Sequence, residues 1–144
     1  MAERLSLRFR RLLEERKLQR IQPKNDIVLK EIASAEYDLE KSKNSFEDED
    51  YKWTIVQAYY SMFHAARALI YSKGYREKSH RACFVALKEF FLDALGEGRI
   101  NDFGEAMDLR ESADYGSAYT DEDAKNLIGK AEDFLENVKR ILKT

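Results

Sequence analysis

The chain of 144 residues contains one cysteine, one proline and six glycines. A single cysteine excludes any internal disulfide framework. Cys83, set in Ala82-Cys-Phe-Val-Ala86, reads as a small buried hydrophobe rather than a reactive thiol. So little proline and glycine leaves too few turn residues for an all-β domain. Long apolar runs are also missing. The most apolar stretch, 53–70, contains His64 and Arg67 together with Tyr59 and Tyr60, which suits a core helix and not a membrane span. The N-terminus has no uninterrupted apolar run of the kind a signal peptide needs. A soluble cytoplasmic protein with no membrane contact is expected.

Charge of one sign is lacking too. The formal net charge is −2 and the pI is near 5.8, which argues against a broadly basic surface for duplex nucleic acid. The charge is locally uneven: residues 1–30 carry nine Arg/Lys against four acids, and Glu47-Asp-Glu-Asp50 is an acidic run. The basic beginning reads as the solvated side of a terminal helix, with contact to RNA or an acidic partner as the alternative. With two histidines and one cysteine there is no Cys/His zinc cluster. No glycine-rich phosphate loop and no nucleophile elbow occur either. No metal and no cofactor are expected.

What the chain does have is 44% hydrophobic and 36% charged residues, a mixture suited to long amphipathic helices. Residues 4–21 predict a first helix, with Leu5, Phe9, Leu12 and Leu13 on one side and Arg4, Arg8 and Arg11 on another. Residues 1–22 are thus expected to form a basic N-terminal helix, interrupted at Gln22-Pro23. A second helix is expected over 25–44, with Ile27, Ile32, Ala35 and Leu39 inward and Tyr37 or Val28 at the margins. Residues 44–50 break the pattern. The third helix, about 50–73, is apolar around most of its circumference and should be central. Gly74 supplies its stop. Ser79 caps a fourth helix, which the Gly96-Glu-Gly98 turn ends. A fifth segment covers 100–114, and Thr120-Asp-Glu-Asp123 opens a long last helix. One domain, 1–144, follows: all-α, an up-and-down antiparallel helical bundle with four main helices and one or two short extra ones. The wide apolar band of 53–70 exceeds what one chain is expected to cover, which points to a homodimer.

Several residues break the apolar pattern. Glu77-x-x-His80 has metal-ligand spacing on one helical face but is solitary, and a dinuclear site needs a second such pair. His64, between Phe63 and Ala65, reads as a buried histidine satisfied by a neighbouring side chain. Arg67 reads as a stem covering apolar surface, or as a guanidinium facing a groove. His80 at a helix start could meet a phosphate or move a proton, or simply pack with Ser79 and Arg81. Arg110 and Asp114 share a helical face at i and i+4, giving a salt bridge. If that face instead borders a groove, Arg110 could hold a phosphate, with Tyr115 donating a hydrogen bond or stacking on a base.

Tyr59-Tyr-Ser-Met-Phe-His-Ala-Ala-Arg-Ala-Leu69, then Lys78-Ser-His80, then Arg110-x-x-x-Asp-Tyr-Gly116 and the last amphipathic helix resemble the HEPN family. The likeness is to its small stand-alone archaeal and bacterial members, and it covers roughly residues 25–143. The resemblance implies an up-and-down helical bundle that dimerises. It also implies metal-independent ribonuclease activity, or a toxin paired with a nucleotidyltransferase antitoxin. The family's hallmark is an arginine followed after four to six residues by histidine. Here the arginine matches Arg110, the histidine's place is held by Tyr115, and no histidine follows Arg110.

The reading that follows is a HEPN-like dimeric module that binds a nucleotide, RNA or a nucleotidyltransferase partner, as the HEPN half of a toxin–antitoxin pair. Arg110, Asp114 and Tyr115 would line the ligand groove, with His80 and Arg81 on its opposite wall. Two alternatives stay open. One is a metal-independent ribonuclease in which Arg110 stabilises phosphate charge and His80 or Tyr115 moves protons. The other is a non-catalytic adaptor bundle.

Overall fold

The structure, a computed structural model, describes residues 5–114 and 119–144. Within them the chain is all-α apart from one small ribbon. The elements are α1 (Leu7–Glu14), β1 (Leu18–Arg20), α2 (Asn25–Glu47), α3 (Tyr51–Ser72), β2 (Tyr75–Glu77), α4 (His80–Leu95), α5 (Glu97–Asp114) and α6 (Asp121–Leu142). Ion pairs between the helices show their directions. Lys43 with Glu132 and Lys139 with Glu36 mark α6 as antiparallel to α2. Arg99 with Asp133 and Asp102 with Lys130 mark α5 as antiparallel to α6.

The first helix is shorter than its pattern predicts. Helix α1 ends at Glu14, Arg16 takes a left-handed conformation at φ 60°, and Leu18–Arg20 runs extended. The apolar stripe of Phe9, Leu12 and Leu13 needs an apolar residue near 16 and meets arginine there. The backbone of 18–20 finds its partners on β2 instead, antiparallel, with Leu18 opposite Glu77, Gln19 opposite Arg76 and Arg20 opposite Tyr75. Phe9 ties α1 down by edge-on ring contacts to Tyr75 (5.3 Å) and Phe90 (5.1 Å).

Helix α2 runs through the expected break to Glu47, where Phe46 packs against Tyr51 at 5.7 Å. Its buried stripe is Val28, Ile32, Ala35 and Ser42; Ile27 and Tyr37 turn outward. Ile32 and Ala35 face inward as expected and Leu39 packs half-buried against the core, so the stripe keeps its phase and differs only where Val28 takes the place of Ile27 and Ser42 extends it. Ser61 Oγ donates to the Ala35 carbonyl and Ser42 Oγ to the Thr54 carbonyl, both at 2.8 Å, so these small polar residues must face inward.

Helix α3 is central as expected, with 14 of its 22 residues buried. Ala58, Ala65, Ala66 and Ala68 are completely buried and let neighbouring helices approach closely. The apolar band on which the dimer expectation rested is therefore largely covered within the chain, leaving Trp53 as its exposed large hydrophobe. Local signals hold at the ends. Ser79 Oγ accepts from the Ala82 amide at 3.0 Å, and Thr120 and Asp123 form a reciprocal capping box. Gly74, at φ 87°, ends α3. No described helix is long and apolar enough to cross a membrane.

Candidate functional site

Helices α3, α4 and α5 converge on a patch of aromatic and polar side chains. The adjacent Tyr59 and Tyr60 of α3 lie on either side of its inner boundary: Tyr59 is completely buried and Tyr60 half-buried. Because Ser79 caps α4, His80 begins that helix against α3. Its ring stacks on Phe63 at 4.3 Å and 14°, and meets Tyr60 edge-on at 6.0 Å. The Tyr59 hydroxyl lies 2.5 Å from His80 Nδ1.

Arg110 enters from α5. One terminal nitrogen donates to the Tyr60 hydroxyl at 3.2 Å and pairs with Asp114 at 3.0 Å, while the guanidinium carbon lies 5.5 Å from the Tyr60 ring centre. Arg110 Nε is buried and has no hydrogen-bond partner among the described residues. Tertiary packing therefore brings Arg110 and His80 to the same tyrosine pair, and Asp114 holds Arg110 by the local i,i+4 pair. Arg81 is exposed on the next position of α4 and makes no hydrogen bond or ion pair with the described residues. Tyr115 lies outside the described residues.

Electrostatics sets the protonation of this patch. Burial, helped by the positive charges of Arg110 and Arg67, lowers the His80 pKa below its ordinary 6.5. Burial raises the Tyr59 phenol well above its ordinary value, so it keeps its proton. The Tyr59 hydroxyl has no other acceptor among the described residues, and on that ground we assign its O–H as the donor to Nδ1. A neutral His80 then carries its own proton on Nε2. The patch therefore presents an N–H donor on His80 and the Arg110 guanidinium, whose charge is shared with Asp114, and in this tautomer His80 has no vacant basic nitrogen.

A second polar cluster supports the first from behind. Arg67 is not aimed at an open groove. Its Nε lies 2.8 Å from Glu77 Oε1, near enough for an ion pair but out of line for a hydrogen bond, and its NH1 is 3.7 Å from Glu31. It also donates to the Tyr71 hydroxyl. Its guanidinium carbon stands 5.5 Å from the ring of Phe63, the residue that stacks on His80. Burial works against the charged guanidinium, but Glu77 and Glu31 outweigh it and raise the Arg67 pKa. Burial raises the Glu77 pKa despite Arg67.

Glu77 and His80 do not share a helical face: Glu77 belongs to β2, because the helix starts only after the Ser79 cap. His64 is satisfied as expected, with Nδ1 2.6 Å from Glu31 and Nε2 3.6 Å from Asp38. Burial raises the Asp38 pKa, with His64 opposing. Cys83 is fully buried, which pushes its thiol pKa up.

Sequence reasoning missed Tyr59 and Tyr60 as partners of His80 and Arg110. A signal was present, since a phenol on an apolar helix needs a hydrogen-bond partner when buried. The partner's identity was out of reach, because Arg110 is 50 residues from Tyr60.

The model of the HEPN domain matches residues 29–141. A Methanocaldococcus jannaschii protein named "Putative toxin MJ0605" is 35% identical over 118 residues, covering 78% of this chain and 86% of that protein. A second from the same organism, named "Putative toxin MJ0142", is 30% identical over 115 residues, covering 77% and 78%. A UPF0332 protein of Archaeoglobus fulgidus is 32% identical over 111 residues, covering 75% and 89%. With the family motif spanning the helices that build the site, the chain belongs to the HEPN domain family.

Proposed function

We propose that this HEPN chain binds RNA through a phosphate held between Arg110 and His80, and that it acts as the HEPN half of a toxin–antitoxin pair. The observation that carries the binding reading is the shared tyrosine pair: Tyr60 holds the Arg110 guanidinium and Tyr59 fixes the His80 tautomer. Arg110 supplies charge and planar donors for phosphate oxygens, and Nε2–H of His80 supplies a further donor. The toxin–antitoxin assignment draws on family membership and on the toxin names of the two Methanocaldococcus relatives. A homodimer and a nucleotidyltransferase antitoxin are the partners expected with it.

Cleavage of RNA is the second reading, favoured by the closeness of His80 to Arg110 around one tyrosine pair. The hydrogen bonding of His80 argues for binding over cleavage. A general base needs an unprotonated nitrogen, and Tyr59 occupies the one that the neutral ring has. The test is fluorescence anisotropy with labelled mixed-sequence single-stranded RNA in EDTA, with the same samples run on a denaturing gel. Binding that is lost in Arg110→Ala and weakened in His80→Gln, with the RNA intact, is the expected result. Cleavage lost in Arg110→Ala would establish the ribonuclease reading instead. Equal binding by wild type and both variants would sink the site.

A further inference from the structure

The two-stranded ribbon β1–β2 has a face that the site does not use. Leu18 and Glu77, opposite each other, are buried. Side chains alternate along a strand, so Gln19 and Arg76 point outward. The register continues one residue further, because the Lys78 amide donates to the Lys17 carbonyl at 2.9 Å. Lys17 and Lys78 therefore stand on the outward face directly opposite each other. Like charges placed so are unfavourable for strand pairing. Lys17 has Glu15 at 3.9 Å, but both side chains are about half exposed and such a pair contributes little. Arg76, Lys78 and, at the start of α4 just beyond them, Arg81 are exposed and make no ion pair with the described residues; Arg20, also exposed, alternates to the Leu18 side of the ribbon.

The chain as a whole is slightly acidic, so this concentration of positive charge is local. Two segments far apart in sequence produce it, and only the strand pairing unites them. One half, β1, lies outside the stretch 29–141 that the family model matches. The other half leads through Lys78 and Ser79 directly into His80. The outward face carries Lys17, Arg76 and Lys78, and ammonium and guanidinium donors alike match phosphate oxygens.

We propose that the outward face of the β1–β2 ribbon is a track for the phosphodiester backbone of single-stranded RNA, leading onto the Arg110–His80 site; this rests on the reading that the site binds RNA. The continuity with His80 favours an RNA strand over an acidic protein segment. Phosphate contacts along the track supply affinity and salt dependence without reading bases.

The test compares the full chain with the triple variant Lys17→Gln, Arg76→Gln, Lys78→Gln and with Arg110→Ala. All three side chains of the triple variant are exposed, and urea unfolding checks that the fold is kept. The probes are a labelled mixed-sequence RNA of about 20 nucleotides, spanning track and site, and labelled poly-glutamate. The triple variant is expected to bind RNA roughly tenfold or more weakly, with a log–log salt slope shallower by about 2, the share of three phosphates on a single strand. RNA affinity and salt slope equal to wild type would overturn the track. If poly-glutamate binding alone is lost, the face belongs to an acidic protein partner and the proposal is overturned likewise. Loss of RNA binding in Arg110→Ala with no change in the triple variant leaves the site standing without the track. The reverse pattern leaves the track standing and removes the site.

Discussion

Removing Arg67 should cost this protein a large part of its stability, and the cost should depend on pH. Arg67 lies 2.8 Å from a Glu77 carboxylate whose side chain is 4% exposed, and it also faces Glu31 and Tyr71. Arg67→Ala leaves Glu77 buried without its cation. Breaking a buried pair from one side costs about 3–5 kcal/mol. Arg67 itself is 20% exposed, so the lower end, about 3 kcal/mol, is expected. With an m-value near 2 kcal/mol/M, the urea midpoint should fall by roughly 1.5 M.

The sign of the pH dependence follows from Glu77. Burial already raises its pKa above the ordinary 4.5 with Arg67 present. Without Arg67 that burial acts with less opposition, and the pKa rises further. A carboxyl whose folded pKa is raised contributes stability below its unfolded pKa and loses it as pH rises through the folded value. The deficit of Arg67→Ala should therefore be greater at about pH 7.5 than at about pH 5. The double variant Arg67→Met, Glu77→Gln removes both charges and should recover most of the loss, since neutral replacement of a buried pair is often nearly neutral. A single-variant loss below about 1 kcal/mol, or a double variant no more stable than the single, would refute this account of the pair.

Further outcomes are expected at His80, Phe103 and Gly74. His80 should titrate below 6.5 by NMR, and Tyr59→Phe should raise that value by removing the hydrogen bond that favours the neutral ring; no change would remove Tyr59 as the fixer of the tautomer. Because the folded His80 pKa is depressed, its contribution to stability falls as pH drops from 6.5 through the lower folded value. Phe103→Ala should cost about 3–5 kcal/mol in urea unfolding, since this fully buried ring stacks on both Tyr59 and Phe134. Gly74→Ala should lower the melting temperature, because φ is 87° and an added Cβ would lie 3.2 Å from the Ile21 carbonyl oxygen; an unchanged melting temperature would show that the turn relaxes freely.

The sequence by itself determined the six helical segments among the described residues, though not where the first two end, and the pairs within a turn of each other. The central position of α3 follows from apolar residues around most of its circumference. The Ser79 and Thr120 caps follow from hydroxyls that satisfy amides three residues on, and the Arg110–Asp114 pair from residues one turn apart. All of these depend on neighbours within a turn or on the periodicity of a single segment. Tertiary structure alone decided the β1–β2 ribbon, the inward turn of Ser42, the burial of Glu77 against Arg67, and the meeting of His80 with Arg110 at Tyr59 and Tyr60. The pattern at Arg16 could end a helix, but it could not supply the strand 57 positions away that takes up the backbone of residues 18–20. Helical periodicity specifies which face turns inward, whereas the partner met there is chosen by packing among segments far apart in the chain.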